Sequence, residues 1–332
     1  MPLLDIKNLR TTFSTQVGQV RAVRGLNLTV DYGESVGIVG ESGSGKSVSM
    51  LSVMGLLPVN AHVNAASIMF DGRELTTMDE REKRKMHGSE IGMVFQDPMT
   101  SLNPLHTIGM QLMEPIKLHM GLNKAQARER ALEMLKLVNI PSPESRLKQY
   151  PHEFSGGMRQ RVMIAIALAC NPKLIIADEP TTALDVTIQA QILELMQGLK
   201  NQLNTSIIMI THDLGVIASM CSRIVVMYGG CVAETGTTRE IFYSPKHPYT
   251  WGLLRSIPKA QMDGTHSKLL PIPGTPPDML RPPKGCPFAP RCPYAMQVCR
   301  EYMAPETVLS DTHRVSCHLM HKNAPKVTRE EV

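Results

Sequence analysis

The chain has little of what membrane-spanning or secreted proteins require. Its 332 residues include no uninterrupted apolar run of about 18 residues, the length that crosses a bilayer as a helix. The first five residues, Met-Pro-Leu-Leu-Asp, lack the basic segment and apolar core of a secretory signal. We therefore expect a cytoplasmic protein without a membrane span of its own.

Aromatic residues and concentrated positive charge are also scarce. Only 4% of the residues are aromatic, and the 35 Lys and Arg are scattered rather than gathered in a stripe. Nucleic-acid-binding surfaces need such a basic stripe, so the net charge of +5 indicates an ordinary solvated surface and no nucleic acid partner. The length and the 42% apolar content suit a globular protein of two domains or one elaborated domain.

What the chain does have is a phosphate-binding loop behind an apolar stretch. Residues 36–39 predict a strand, residues 47–57 predict a helix, and the spacing G-x-x-x-x-G-K-S lies between them. In this spacing backbone N–H groups point at a phosphate, the lysine adds charge and the serine can bind Mg²⁺. The alternative is a flexible glycine loop without a ligand. The nucleotide-binding residues expected here are Gly40, Glu41, Ser42, Gly43, Ser44, Gly45, Lys46, Ser47 and Val48.

The rest of the chain has an α/β pattern. Alternating apolar residues before the loop predict an antiparallel β layer, and the apolar runs 91–95, 174–177 and 206–210 predict buried strands. Helical periodicity between about residues 97 and 165 predicts a helical insertion. Prolines and cysteines accumulate beyond residue 255. We therefore predict a cassette, residues 1–255, and a Pro/Cys-rich C-terminal extension, residues 256–332, as a separate structural unit.

Two carboxylates, Asp178 and Glu179, follow the apolar run 174–177. Together with the phosphate loop, this Walker B pattern resembles the ATP-binding subunits of ABC transporters. The resemblance implies an ABC-type P-loop ATPase core that uses ATP and Mg²⁺. It also implies that Asp178 holds the metal and that Glu179 is the general base for the attacking water. Taken alone, the Asp-Glu pair is equally compatible with a structural role.

Residues 154–158, Phe-Ser-Gly-Gly-Met, are similar to the signature sequence L-S-G-G-Q of that family. Ser155, Gly156 and Gly157 at a helix start can present N–H groups to a phosphate, whereas a plain helix cap is the alternative for the serine. In the family this segment completes the ATP site of a second subunit. The resemblance thus implies an obligatory dimer, with each ATP between the phosphate loop of one protomer and the signature of the other.

Four further positions match motifs of the same family. Gln96 matches the Q-loop glutamine that senses Mg²⁺ and the γ-phosphate, so Ser47, Gln96 and Asp178 are the implied magnesium residues. Asp185 matches the D-loop at the dimer seam, and His212 matches the switch histidine that contacts the γ-phosphate. Phe13 stands where relatives stack an aromatic on adenine. A structural histidine and a core phenylalanine are the alternatives for the last two.

Four cysteines cluster in the tail: Cys286, Cys292, Cys299 and Cys317. In a cytosolic chain such a group favours a metal over disulfides, and the spacing leaves zinc, an iron–sulfur cluster or no metal open. We expect Cys170, Cys221 and Cys231 to be inert core residues. We expect His313 and His318 to be ordinary surface residues, with substitute metal ligands as the alternative. The segments 247–250 and 281–293 are similar to the C-terminal region of oligopeptide and dipeptide importer ATPases, which implies a [4Fe-4S] cluster.

The resemblance implies an ATPase subunit of a peptide importer, a peripheral protein at the cytoplasmic face of the membrane. It would pair with a second, similar ATPase and dock its helical insertion onto two transmembrane permease subunits. An extracytoplasmic binding protein would choose the substrate. Importers of nickel or another small solute share the core motifs and remain an alternative, as does a non-transport ABC ATPase. A third hypothesis makes the tail an iron–sulfur redox sensor of the ATPase.

Overall fold

The computed structural model describes residues 1–182, 184–257 and 271–327. Contacts divide the chain into two units. We call the first the helical unit; it comprises Met1–Leu3, Val30–Ser35 and Thr77–Ile210. We call the second the loop unit; it comprises Leu4–Thr29, Val36–Thr76 and Thr211–Val332.

Strands and helices follow one another along the described ranges. The strands are β1 (Leu4–Thr15), β2 (Gly18–Val30), β3 (Ser35–Val39), β4 (Ala61–Asn64), β5 (Ser67–Phe70), β6 (Arg73–Glu74), β7 (Ile91–Val94), β8 (Leu174–Asp178), β9 (Ser206–Thr211), β10 (Arg223–Tyr228), β11 (Cys231–Thr237), β12 (Thr307–Val308) and β13 (Arg314–Val315). The helices are α1 (Lys46–Met54), α2 (Glu80–Met86), α3 (Pro98–Ser101), α4 (Ile108–Met120), α5 (Lys124–Leu137), α6 (Pro143–Arg146), α7 (Gly156–Leu168), α8 (Val186–Leu203), α9 (Leu214–Met220), α10 (Thr238–Tyr243), α11 (Pro248–Arg255) and α12 (Gln297–Glu301). Short 3₁₀ turns occupy Pro151–Glu153 and His318–Met320.

The loop unit contains the antiparallel layer that the alternating N-terminal pattern predicts. Strand β1 pairs with β4 and β5, and its residues Leu4, Ile6 and Leu9 are almost completely buried. A second set of strands carries the phosphate loop: β3 lies parallel to β10, which pairs antiparallel with β11. The buried strand β3 therefore delivers the loop from the core of this unit.

The described part of the tail packs on the cassette. Strand β13 pairs with β11 at Glu234 and Val315, and β12 pairs with β13. Contacts place residues 271–327 in the loop unit, where these short strands extend an existing sheet. The division into two domains stays a prediction.

The helical unit is built on the parallel strands β7, β8 and β9, in the order β7-β8-β9. Strands β8 and β9 are buried along their whole length, as expected for a parallel sheet covered on both faces. Helices α3 to α7 lie between β7 and β8 in the chain, and α4 and α5 pack on each other and on α7. These helices occupy the predicted helical insertion.

Local chemistry explains where the elements end. Helix α1 ends at Met54, short of the predicted residue 57, because Gly55 takes a left-handed conformation with φ 64° and caps the helix. Strand β7 ends at Val94, since Phe95 is already 39% exposed. Within the described ranges, no helix combines the length and apolarity needed to cross a bilayer.

Candidate nucleotide site and cysteine cluster

The phosphate loop, residues 40–47, connects β3 to α1 within the loop unit. Gly40 has φ 152°, and a Cβ there would collide with the carbonyl oxygen of Met227. Gly45 has φ 98°, and a Cβ there would lie 2.5 Å from the carbonyl oxygen of Ala22. Both positions thus demand glycine, because any side chain meets backbone that cannot rotate away. The glycines of the sequence pattern correspond to steric requirements of this fold.

Lys46 begins helix α1 and is 6% exposed. Its ammonium group donates to the carbonyl oxygens of Gly40 at 2.7 Å and Glu41 at 3.1 Å. Ser44 Oγ is buried and has no hydrogen-bond partner among the described residues. Ser47 and Val48 are half-buried. The loop therefore combines a positive charge with an unsatisfied buried hydroxyl, two groups that a phosphate can engage.

Two more of the predicted nucleotide residues belong to the same unit. Phe13 is half-buried on β1, opposite Ala61 of β4. His212 directly follows β9 and is exposed. Exposure at a strand end suits a side chain that meets a ligand. Their roles at adenine and at the γ-phosphate stay predictions.

The two carboxylates stand at the end of β8 in the helical unit. Asp178 is the last residue of the strand and is 7% exposed. Glu179 is half-buried and has φ 46°, while its backbone N–H donates to the carbonyl oxygen of Ile210 at 2.8 Å. A left-handed glutamate costs conformational energy, and such strain is concentrated at functional sites. The strand end therefore holds Glu179 in an orientation that a relaxed backbone would not choose.

The structure brings the predicted Q-loop residue to the predicted base. Gln96 follows β7, the strand next to β8, so parallel pairing places both strand ends at the same edge. Gln96 Nε2 donates to Glu179 Oε2 at 3.3 Å, and the Thr182 hydroxyl donates to the same oxygen at 2.8 Å. The sequence analysis missed Thr182, although it lies only three residues after the glutamate. Two donors thus orient the carboxylate through one of its oxygens.

The signature segment begins helix α7. The Ser155 side chain caps the helix by accepting from the backbone N–H of Met158 at 3.4 Å, and Ser155 and Gly156 are exposed. Phe154 is 3% exposed, with the guanidinium of Arg146 at 5.4 Å from its ring centre. Phe154, in place of the family's Leu, thus packs in the core as an apolar residue. Ser155 and Gly156, which could bind a phosphate, are exposed.

Asp185 caps helix α8 by accepting from the backbone N–H of Ile188 at 2.9 Å. It is exposed, and residue 183, with which the predicted D-loop begins, lies outside the described residues. A capping role accounts for this aspartate within its own chain. Its place at a dimer seam stays a prediction.

The four tail cysteines come together although residues 286–317 form little regular structure. The backbone N–H of Cys286 donates to the carbonyl oxygen of Cys299 at 2.8 Å, and all four thiols are free. Burial raises the pKa of Cys292 to about 11 and that of Cys317 to about 12, and the charges of the other cluster thiolates act in the same direction. Among the described residues, no three His, Cys, Asp or Glu side chains are arranged to hold a metal ion.

The other predicted cysteines and histidines differ in their surroundings. Cys221 and Cys231 are buried, as expected for inert core thiols, while Cys170 is half-buried. His313 is not a surface residue: it is 4% exposed, and its Nε2 lies 2.8 Å from Oε1 of the fully buried Glu234. His318 is half-buried, with Nε2 3.1 Å from the carbonyl oxygen of Tyr302.

The phosphate loop is held by residues that the sequence analysis did not single out. Arg291 forms an ion pair with Glu41, with contacts of 2.6 and 3.0 Å to the two carboxylate oxygens. The Tyr249 hydroxyl accepts from the backbone N–H of Glu41 at 2.8 Å, and burial holds the pKa of Tyr249 above its usual range. Both residues lie in segments that the sequence analysis noted only for their similarity to importer ATPases. No local sequence pattern indicates their contacts with Glu41, because more than two hundred residues separate them from it.

The chain matches known protein families and individual relatives. The sequence model described as ABC transporter matches residues 23–182, and that described as oligopeptide/dipeptide transporter, C-terminal region, matches residues 233–299. The oligopeptide transport ATP-binding protein OppD of Bacillus subtilis is 54% identical over 99% of this chain and 92% of its own length. The dipeptide transport ATP-binding protein DppD of Escherichia coli is 49% identical over 99% of this chain and 100% of its own. A dimeric structure of a bacterial ABC transporter cassette matches with a TM-score of 0.63 and 31% identity, over 71% of this chain and 99% of that one.

Proposed function

Because the chain belongs to the ATP-binding proteins of ABC transporters, we propose that it energises the import of oligopeptides or dipeptides. The family and the ABC-type fold predicted from the sequence are confirmed by these matches. The observation that carries the peptide substrate is the 54% identity to OppD, which extends over 99% of the chain and so includes the tail. Nickel or another small solute is the competing cargo.

ATP and Mg²⁺ are the cofactors that fit this family. The phosphate loop, with Lys46, binds the phosphates, and Phe13 stacks on adenine. Ser47 and Asp178 bind the magnesium ion, and Gln96 senses it. The ordered Glu179 carboxylate is the base for the attacking water, supported by its contacts with Gln96 and Thr182. Catalysis then depends on positioned charge around the transferred phosphoryl group, and no covalent intermediate is needed.

A second ATPase subunit completes each ATP site. The outward-facing Ser155 and Gly156 support this step, because exposed helix N–H groups can bind a phosphate that another protomer carries. Asp185 and His212 are both exposed. Asp185 lies at the contact between the two subunits, and His212 contacts the γ-phosphate. ATP binding closes the dimer, and hydrolysis reopens it.

Transport requires membrane partners. The helical insertion, residues 97–165, docks onto two transmembrane permease subunits, so the chain is a peripheral protein of the cytoplasmic membrane face. An extracytoplasmic binding protein delivers the substrate. The finding that no described helix suits a bilayer is compatible with this arrangement.

The tail holds a [4Fe-4S] cluster on Cys286, Cys292, Cys299 and Cys317. Four free thiols match the ligand number and type of such a cluster. The similarity of this tail to the C-terminal region of oligopeptide and dipeptide transporters supports the cluster, and a single zinc ion is the alternative. When bound, the cluster supplies a rigid cross-link for a segment with little secondary structure.

Uptake into vesicles tests the transport function. The chain is reconstituted with its second ATPase, the permeases and the binding protein, and uptake of a radiolabelled tetrapeptide is compared with uptake of radioactive nickel. We expect ATP-dependent peptide accumulation that Lys46→Ala abolishes. Nickel accumulation without peptide accumulation would assign the other cargo. Hydrolysis without uptake of any solute would favour the non-transport ATPase.

Iron analysis tests the cluster. Protein purified without oxygen should be brown, with roughly four irons per chain, and the double variant Cys286→Ser, Cys292→Ser should lose both colour and iron. Cys221→Ser is the matched control, because Cys221 is buried outside the cluster. Zinc without iron would replace the cluster by a zinc site.

A further inference from the structure

Arg291 connects the C-terminal extension to the phosphate loop with every donor it has. Its guanidinium is only 5% exposed and contacts both carboxylate oxygens of Glu41. The remaining N–H groups donate to the Tyr228 hydroxyl at 3.0 Å and to the carbonyl oxygens of Ile272 at 3.0 Å and Pro273 at 2.8 Å. All five N–H donors of the arginine are therefore used, and its place is fixed by both the tail and the loop unit's core.

Glu41 is held just as completely at the other end of this contact. Its side chain accepts from Arg291, its backbone N–H donates to the Tyr249 hydroxyl at 2.8 Å, and its carbonyl oxygen accepts from Lys46 at 3.1 Å. The same carbonyl also accepts from the backbone N–H of Ser44 at 3.2 Å. The peptide that carries Glu41 thus links the tail arginine to the lysine of the phosphate loop.

The charge of Glu41 makes this link necessary for anion binding. A carboxylate inside a phosphate-binding loop repels the phosphates of a nucleotide unless a cation neutralises it. Arg291 is the cation that contacts it among the described residues. A bidentate arginine also fixes the direction of the carboxylate, which a lysine cannot do with a single ammonium group.

We propose that Arg291 is a positioning residue of the nucleotide site: by neutralising and orienting Glu41, it makes the phosphate loop competent to bind ATP. The C-terminal extension then contributes a residue that supports the nucleotide site. This inference rests on the proposed role of residues 40–47 as the ATP-binding loop. It adds a residue 250 positions away in the chain, which acts through Glu41 and not on the nucleotide itself.

A double-mutant cycle on the full-length chain tests the proposal. The dissociation constant of a fluorescent ATP analogue is measured for wild type, Arg291→Gln, Glu41→Gln and the variant with both changes. We expect Arg291→Gln to raise the constant by about tenfold, within the usual range of coupling between sites. In the Glu41→Gln background the same change should raise it by less than about twofold, because no unpaired carboxylate remains.

A conservative variant keeps the test decisive if Arg291→Gln fails to fold. Arg291→Lys preserves the charge but loses the fork, so we expect a smaller increase, about threefold, and a higher melting temperature than that of Arg291→Gln. Arg314→Gln is the matched control, since Arg314 lies in the same tail and pairs with Glu306 at the surface. It should bind like wild type.

The outcomes separate this inference from the proposed function. If wild type binds the analogue and Lys46→Ala does not, the loop is the nucleotide site. Equal affinity of wild type and Arg291→Gln then overturns the role of Arg291 alone, and so does an equal loss in both Glu41 backgrounds. If wild type itself does not bind, the proposed ATP site and the inference both fail.

Discussion

The phosphate loop and the signature segment both place glycines next to a helix start, yet the chain treats them in opposite ways. The phosphate loop is enclosed: Gly40 and Gly45 have no room for a Cβ, and Glu41 is held by Arg291 and Tyr249. At Gly156, in contrast, the nearest atom to an added Cβ is a Leu184 side-chain carbon at 3.9 Å. A Cβ at Gly157 would lie 2.7 Å from a side-chain carbon of Ile188, so the open position of the signature segment is Gly156, and it is there that the chain leaves room for a partner.

The largest expected effect comes from the residue that would act once the two halves meet. Glu179→Gln keeps the shape of the side chain but removes the base, so we expect turnover to fall by about 10²–10⁴-fold while ATP binding persists. Phosphate release measures the turnover, and size-exclusion chromatography with ATP measures the dimer, which should accumulate. Robust hydrolysis by a complex with every such glutamate replaced would contradict the assignment.

Gly40→Ala tests the enclosed half. The added methyl must displace the backbone at Met227 and strain a left-handed residue, which costs about 1–3 kcal/mol. We expect the affinity for ATP to fall by about tenfold to a hundredfold. Titration of the isolated chain with a fluorescent ATP analogue measures it. Gly43→Ala is the control for backbone strain without crowding, since Gly43 also has a positive φ of 76° but nothing lies within 4 Å of its added Cβ; equal losses in both variants would show that packing at Gly40 is unimportant.

Gly156→Ala tests the open half. The chain accommodates the methyl without a clash, so the melting temperature and the ATP affinity of the isolated chain should not change. Turnover of the assembled pair should fall by about tenfold, because the methyl stands where a partner's phosphate would approach. Unchanged turnover would remove the predicted asymmetry between the two segments.

The smallest expected effect concerns one hydrogen bond to the enclosed half. Tyr249→Phe leaves the backbone N–H of Glu41 without its acceptor, and such a loss is worth about 0.5–1.5 kcal/mol. We expect an increase of about threefold in the dissociation constant of the ATP analogue, with hydrolysis at saturating ATP unchanged. Tyr243→Phe is the control, because Tyr243 is 80% exposed. If both variants bind alike, the hydroxyl does not help to order the loop.

The elements that sequence reasoning predicts well are those with a local cause. The strand before the phosphate loop and the runs 174–177 and 206–210 are continuous apolar segments, and the structure has β3, β8 and β9 there. The family, too, was predictable, because its motifs are short and carry their own chemistry. Helix ends were less accurate: the left-handed Gly55 ends α1 before the apolar pattern does.

The contacts that sequence reasoning missed join distant parts of the chain. His313 was expected at the surface, but it is buried, and its Nε2 lies 2.8 Å from Oε1 of Glu234, 79 positions away in the chain. Arg291 stands in a segment chosen for its cysteines, and no local pattern shows that its partner is Glu41. Such pairs depend on sheet pairing and loop paths that propensities do not encode.

The Arg291–Glu41 pair also has a consequence for how such proteins change over generations. Loss of either charge alone would leave its partner unpaired, at the buried Arg291 or at the half-buried Glu41, so the two positions should be inherited as a couple. In relatives without a comparable extension, we expect a residue other than an acid at the position of Glu41. By the same reasoning, a chimaera that joins the cassette of one relative to the extension of another should remain active only when the two charges match.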